Sequence, residues 1–146
     1  MAIKGVRLKW PKRMAGAFRR RKGISAAEAR EAVRSGAERV KDADLKSVLE
    51  KETEIRELAS QGPLSKVFKE ILLLLALIRA YWKGEYREIP WYSIAAIVSA
   101  LLYVLSPIDL IPDVLPLVGY VDDAAVIAAC LAMVREDLAR FKANRQ

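Results

Sequence analysis

Four aspartates, Asp109, Asp113, Asp122 and Asp123, stand in an otherwise apolar stretch that also holds Pro107, Pro112 and Pro116, with no lysine, arginine or histidine among them. A carboxylate in such surroundings is costly unless it binds a cation, caps a helix or reaches water. Asp109 and Asp113 are four residues apart, so one helical turn would put them on one face. Gly119 would let the chain reverse and bring Asp122 and Asp123 back toward them. Carboxylates converging without a basic partner suit Mg²⁺ or Ca²⁺, which prefer oxygen ligands, although the spacing is not that of an EF-hand loop. Metal-bound water would be the chemistry of such a site. No nucleophile, general base or phosphate-cradling loop accompanies it, so no catalytic residue is assigned.

A local account explains the same carboxylates. Ser106 fits an N-cap, Pro107 the first helical position, and Asp109 at the third position can reach back as in a capping box. Asp113 follows Pro112 and would cap another short turn. Asp122 or Asp123 would open the final helix, where negative charge meets the positive end of the helix dipole. On this reading Ser106, Pro107, Pro112, Pro116 and Gly119 form a structural reversal that folds the chain back on itself.

Composition narrows the chemistry further. The 146 residues include no histidine and one cysteine, Cys130, which rules out Ser-His and Cys-His catalytic pairs, the usual zinc sites and an intramolecular disulfide. Cys130 lies in an Ala-Ala-Cys-Leu-Ala run and reads as a buried thiol. The length is that of one ordinary domain. The net charge of +7 is unevenly placed: Lys4, Arg7, Lys9, Lys12, Arg13, Arg19, Arg20, Arg21 and Lys22 fall in the first 27 residues, which hold no acid. Without that arm the chain is slightly acidic. The arm either docks on an anionic membrane surface, with Trp10 as an interfacial anchor, or is a solvated, partly disordered tail. Nucleic acid is disfavoured as a partner, because no recognition helix or aromatic stacking platform accompanies the charge.

The elements that must position these residues are helical. Ser25-Ala26-Ala27-Glu28 is a capping box, and the apolar stripe after it breaks near Asp42 to Asp44 and resumes to Leu58, as expected of one or two charged surface helices ending at Gly62-Pro63. Leu64 to Trp82 is apolar on every side at its centre. Residues 89 to 108 carry no charge at all, a length that meets the criterion for a transmembrane helix. Pro90 and Pro107, however, bound a helix of Trp91 to Leu105, about 22 Å long against the roughly 30 Å of a straight span. Asp122 to Phe141 completes the set. Tyr81, Trp82, Tyr86, Trp91 and Tyr92 cluster at the turn between two apolar helices, either as an aromatic belt at a headgroup boundary or as the closed end of a core.

The run Ser106-Pro107-Ile108-Asp109-Leu110-Ile111-Pro112-Asp113, followed by Pro116, Gly119-Tyr120 and Asp122-Asp123, resembles the signature of the YkvA-like family, small helical domains common in bacteria. The resemblance extends through Glu70-Ile71-Leu72-Leu73, the Lys83 to Arg87 turn, Ile89-Pro90-Trp91 and Asp122 to Ile127, and covers about residues 64 to 142. It implies no activity and no catalytic residue. It does imply a bacterial cytoplasmic protein at the inner face of the membrane or partly embedded in it, since members are described as membrane-associated and a similar domain is appended to a ubiquitin ligase of an internal membrane in animals.

The expected fold is all-α: a compact helical bundle around an apolar hairpin, with the Pro/Asp-rich reversal and a final helix. Three regions are drawn: a basic arm (1–23), charged amphipathic helices (24–62) and the YkvA-like domain (63–146). The expected role is a non-catalytic membrane-associated or adaptor-type protein. A soluble module that binds a protein partner, of inhibitor or immunity type, is the alternative, and a metal-dependent enzyme using the clustered aspartates is third.

Overall fold

A computed structural model describes residues 25–105 and 123–145, in which every regular element is helical. We number the α-helices α1 (Ala26–Ala37), α2 (Asp42–Glu50), α3 (Glu52–Ala59), α4 (Phe68–Trp82), α5 (Trp91–Leu105), α6 (Asp123–Met133) and α7 (Arg135–Arg145), with a 3-10 helix, Gly62–Val67, before α4. The all-α bundle is as expected, and Trp91–Leu105 has the bounds that its flanking sequence dictates.

Local chemistry sets the breaks. Ser25 Oγ accepts from the Glu28 N–H at 3.0 Å, and Glu28 Oε1 accepts from the Ser25 N–H at 2.9 Å, so the capping box starts α1. At the start of α2 the Asp44 carboxylate accepts the Lys41 N–H at 2.8 Å. Gly84 ends α4 at φ +79°, a conformation that favours glycine. Its N–H donates to Tyr81 O at 3.0 Å and that of Glu85 to Ala80 O at 2.9 Å, the paired bonds of a Schellman cap. Three features differ from the sequence expectation, the first being that the charged region before Gly62 forms three helices rather than one or two. The helix expected from Leu64 begins as a 3-10 turn and becomes α-helical at Phe68. The final helix is two segments meeting at Val134, although Val134 N to Cys130 O and Leu138 N to Val134 O carry the bonding across the joint.

Helix α5 lies at the centre. Twelve of its 15 residues are buried, and it packs on α1, α2, α3, α4 and α6, most extensively on α1 and α6. Helix α1, expected as surface cover, buries Ala29, Ala32, Val33, Gly36 and Ala37. These recur at intervals of three and four, so a stripe of small side chains lets α1 pack closely on α5. One cluster of buried side chains runs from Ala32 to Phe141 and so joins the charged helices to the later ones.

This arrangement corrects the transmembrane expectation. Among the described residues no helix is long and apolar enough to cross a membrane. The uncharged run of residues 89 to 108 contributes only the 15 residues of α5 as described helix, and protein rather than lipid covers its sides.

Cys130 of α6 is fully buried, and its Sγ lies 3.7 Å from Ala96 O of α5. Burial pushes the thiol up to about 12. The thiolate is the reactive form, so the native protein should resist iodoacetamide at about pH 8, whereas the urea-unfolded chain should be alkylated fully. Equal rates in the two states would show that α6 is not packed as described.

Candidate functional site

The residues that carried the sequence-based site readings fall mostly outside the described residues. This holds for Asp109, Asp113, Asp122, Ser106, Pro107, Pro112, Pro116 and Gly119, and for the arm residues Lys4, Arg7, Lys9, Trp10, Lys12, Arg13, Arg19, Arg20, Arg21 and Lys22. Asp123 opens α6, at the end of a helix where a carboxylate is favourable, but its side chain is not among those described. Among the described residues no group of three or more His, Cys, Asp or Glu is placed to hold a metal ion.

The aromatic cluster is described in full, and it divides into an inner and an outer set. Tyr86 is buried and meets Phe141 of α7 edge-on, with ring centroids 5.1 Å apart. Tyr81 and Trp91 tie the ends of α4 and α5 together at 6.3 Å, and the Arg87 guanidinium lies over the Tyr81 ring at 4.5 Å. The outer set is Trp82 (43 % exposed), Trp91 (37 %) and Tyr92 (47 %), the large hydrophobic side chains that the described fold leaves exposed. All three flank one turn at one end of the bundle. Lys83, Glu85, Arg87 and Glu88, all exposed in that turn, balance one another in charge. The cluster therefore both closes the core and presents indole and phenol rings to the outside.

Two polar ties hold this end of the bundle, and neither was foreseen from the sequence. Ser93 in the first turn of α5 donates to Asp137 Oδ2 at 2.5 Å, and Arg140 Nη2 donates to Asp137 Oδ1 at 2.5 Å. Asp137 is only 9 % exposed, so the pair pins α7 to α5. Nothing in the spacing of Ser93 and Asp137, 44 residues apart, announces the contact. The second tie joins α3 to α4: the Glu52 carboxylate accepts from Arg79, and from Arg56 at 2.8 Å. Burial pushes the Glu52 carboxyl up, but hydrogen bonds from Arg79 and Arg56 and their charges outweigh it, and the net shift is downward. A depressed carboxyl stabilises the fold above the ordinary value of 4.5 and loses that contribution as pH falls through the lower folded value. Glu52→Gln should therefore lower the melting temperature at neutral pH and flatten its fall toward acid. Parallel pH–melting curves for the two proteins would contradict this.

The comparisons with known proteins cover the central part of this geometry. Residues 93–129 match the family model described as "Protein of unknown function (DUF1232)". They are a DUF1232 region. It comprises nearly all of α5, the Pro/Asp-rich run that lies outside the described residues, and the first residues of α6, and its two described helices pack against each other in the core. Ser93 is its first residue, while the partner Asp137 lies beyond it. The chain is also a distant homologue of a Bacillus subtilis (strain 168) protein named as an uncharacterized membrane protein, YkvA. The two are 27 % identical over 77 residues, which span 53 % of this chain and 73 % of that protein. No solved structure matches.

Proposed function

We propose that this chain is a non-catalytic, peripheral membrane-associated helical bundle that meets the bilayer with its aromatic end. One observation carries the reading: Trp82, Trp91 and Tyr92 are exposed together at the end of an otherwise well-covered core. Indole and phenol rings partition to the headgroup boundary, where an apolar face and a polar tip are both accommodated. The name of the Bacillus subtilis relative supports the same location. Because the charges of the turn cancel, attraction to anionic lipid falls to the basic arm, and the rings supply the part of the affinity that salt does not screen. Attachment would be at the inner face of the membrane without a span.

The test is co-sedimentation with phosphatidylglycerol-containing vesicles at low and high salt. Wild type should sediment at low salt, deletion of residues 1–22 should remove the salt-sensitive part, and Trp82→Ala/Trp91→Ala should remove the salt-resistant part. Wild type left in the supernatant at low salt overturns the reading.

A second reading, a module that binds a protein partner, draws on a shallow groove of about 410 Å³ between α4 and the α6–α7 joint. Leu131, Arg135, Leu138 and Lys142 line it at helical spacing. Glu70 faces them from α4.

A further inference from the structure

Beside the aromatic end, α4 and α7 enclose a pocket of about 260 Å³, lined by Ala76, Arg79 and Ala80 of α4, Glu85 and Tyr86 of the turn, and Phe141, Asn144 and Arg145 of α7. Its volume is below that of pockets for drug-sized ligands and suits a small polar group. The charges in it have a pattern. Arg79 and Arg145 are cationic and Glu85 is anionic, and α7 ends here, so its C-terminal carbonyls add negative potential. Arg79 shares the single Glu52 carboxylate with Arg56, which leaves that trio one positive charge in excess. The Arg145 guanidinium stacks on the Phe141 ring at 5.4 Å, an arrangement that leaves its N–H edge able to donate. Asn144 adds an amide. Glu85 forms no ion pair among the described residues.

A pocket with fixed charge of both signs disfavours a simple anion and a simple cation alike, and favours a ligand that carries both. We infer that this pocket binds a phosphoethanolamine group, its phosphodiester on Arg145, Arg79 and Asn144 and its ammonium on Glu85 and the carbonyl end of α7. Guanidinium groups match phosphate geometry through paired N–H donors, and an ammonium is well placed against a carboxylate and helix C-termini. Trp82 lies three residues beyond Arg79, hence on the same side of α4, so rings inserted at the headgroup level would set the pocket at that level too. The inference deepens the membrane reading by naming the headgroup, and it rests on that reading only for the source of the group.

The experiment has two arms. In the first, glycerophosphoethanolamine and glycerophosphoglycerol are titrated separately into the full chain, and the Asn144 side-chain amide and Arg145 Nε–H signals are followed by NMR. Saturable shifts with the ethanolamine compound, at least about tenfold weaker binding of the glycerol compound, loss of that preference in Glu85→Gln and loss of binding in Arg145→Gln are expected. All these positions are at the surface, and unchanged circular dichroism and melting temperature confirm folding. Asn144→Leu is a second variant should Arg145→Gln melt early. In the second arm, vesicles with and without phosphatidylethanolamine are compared at fixed surface charge. Tighter binding to the former, abolished by Glu85→Gln, assigns the source as lipid. Saturable shifts in the first arm with no vesicle binding at all keep the site, assign a soluble ligand and reject the membrane reading. No preference for the ethanolamine compound, or wild-type behaviour of both Glu85→Gln and Arg145→Gln, overturns the site even where vesicles bind through the aromatic end.

Discussion

Ile97→Ala should cost about 2–5 kcal/mol of unfolding free energy, while Leu102→Ala, five residues further along the same helix, should cost less than half as much. Ile97 is fully buried at the middle of α5 and Leu102 is partly exposed. Truncation at the first site loses the transfer free energy of three carbons and leaves a cavity that the surrounding helices only partly fill, whereas water reaches the second. At about 3 °C per kcal/mol for a chain of this size, the two melting temperatures should separate clearly in a thermal scan without detergent. The contrast decides what surrounds α5. A helix embedded in lipid would need detergent to stay folded and would show little difference between the two sites. Equal losses would reject the packing of α5 against α1 and α6.

Ser93→Ala should cost about 1.5–3 kcal/mol, the range for a hydrogen bond to a charged acceptor. The Asp137 carboxylate would keep Arg140 but lose its partner on α5, and at 9 % exposure little water replaces it. A double-mutant cycle with Asp137→Ala isolates the tie: with both groups removed no carboxylate is left unpaired, so the double variant should be more stable than the sum of the single losses predicts. Additive losses would show that the two side chains do not interact. The same variants separate structure from function, since loosening α7 should also widen the pocket between α4 and α7, where Phe141 and Arg145 lie one and two turns beyond Asp137.

These two predictions concern features that the sequence made visible to different degrees. The start of α1 was legible because the capping box is a local interaction between residues three apart. So was the start of α5, because Pro90 stands just before it. The split at Val134 was not, since no proline or glycine stands there and α-helical hydrogen bonds run across the joint, while the two segments pack against different neighbours. The place of α1 was hidden for a related reason. A stripe of alanines has a low hydrophobicity and reads as surface, yet small side chains are what let two helices approach most closely. Of the candidate sites, the aromatic cluster was recognisable from composition, but its division into buried Tyr86 and exposed Trp82, Trp91 and Tyr92 depends on where α7 lies.

The sequence by itself determined the helical class, the local starts and stops, the family resemblance of the Pro/Asp-rich run, the exclusion of histidine and disulfide chemistry, and the concentration of positive charge in the arm. All of these follow from residue identity or from neighbours a few positions apart. Only the tertiary structure decided that α5 is wrapped by protein, that Ser93 meets Asp137, and that Arg79, Glu85 and Arg145 face one pocket. Uncharged residues are equally at home in lipid and in a core, and side chains tens of residues apart meet only through the packing of the helices between them.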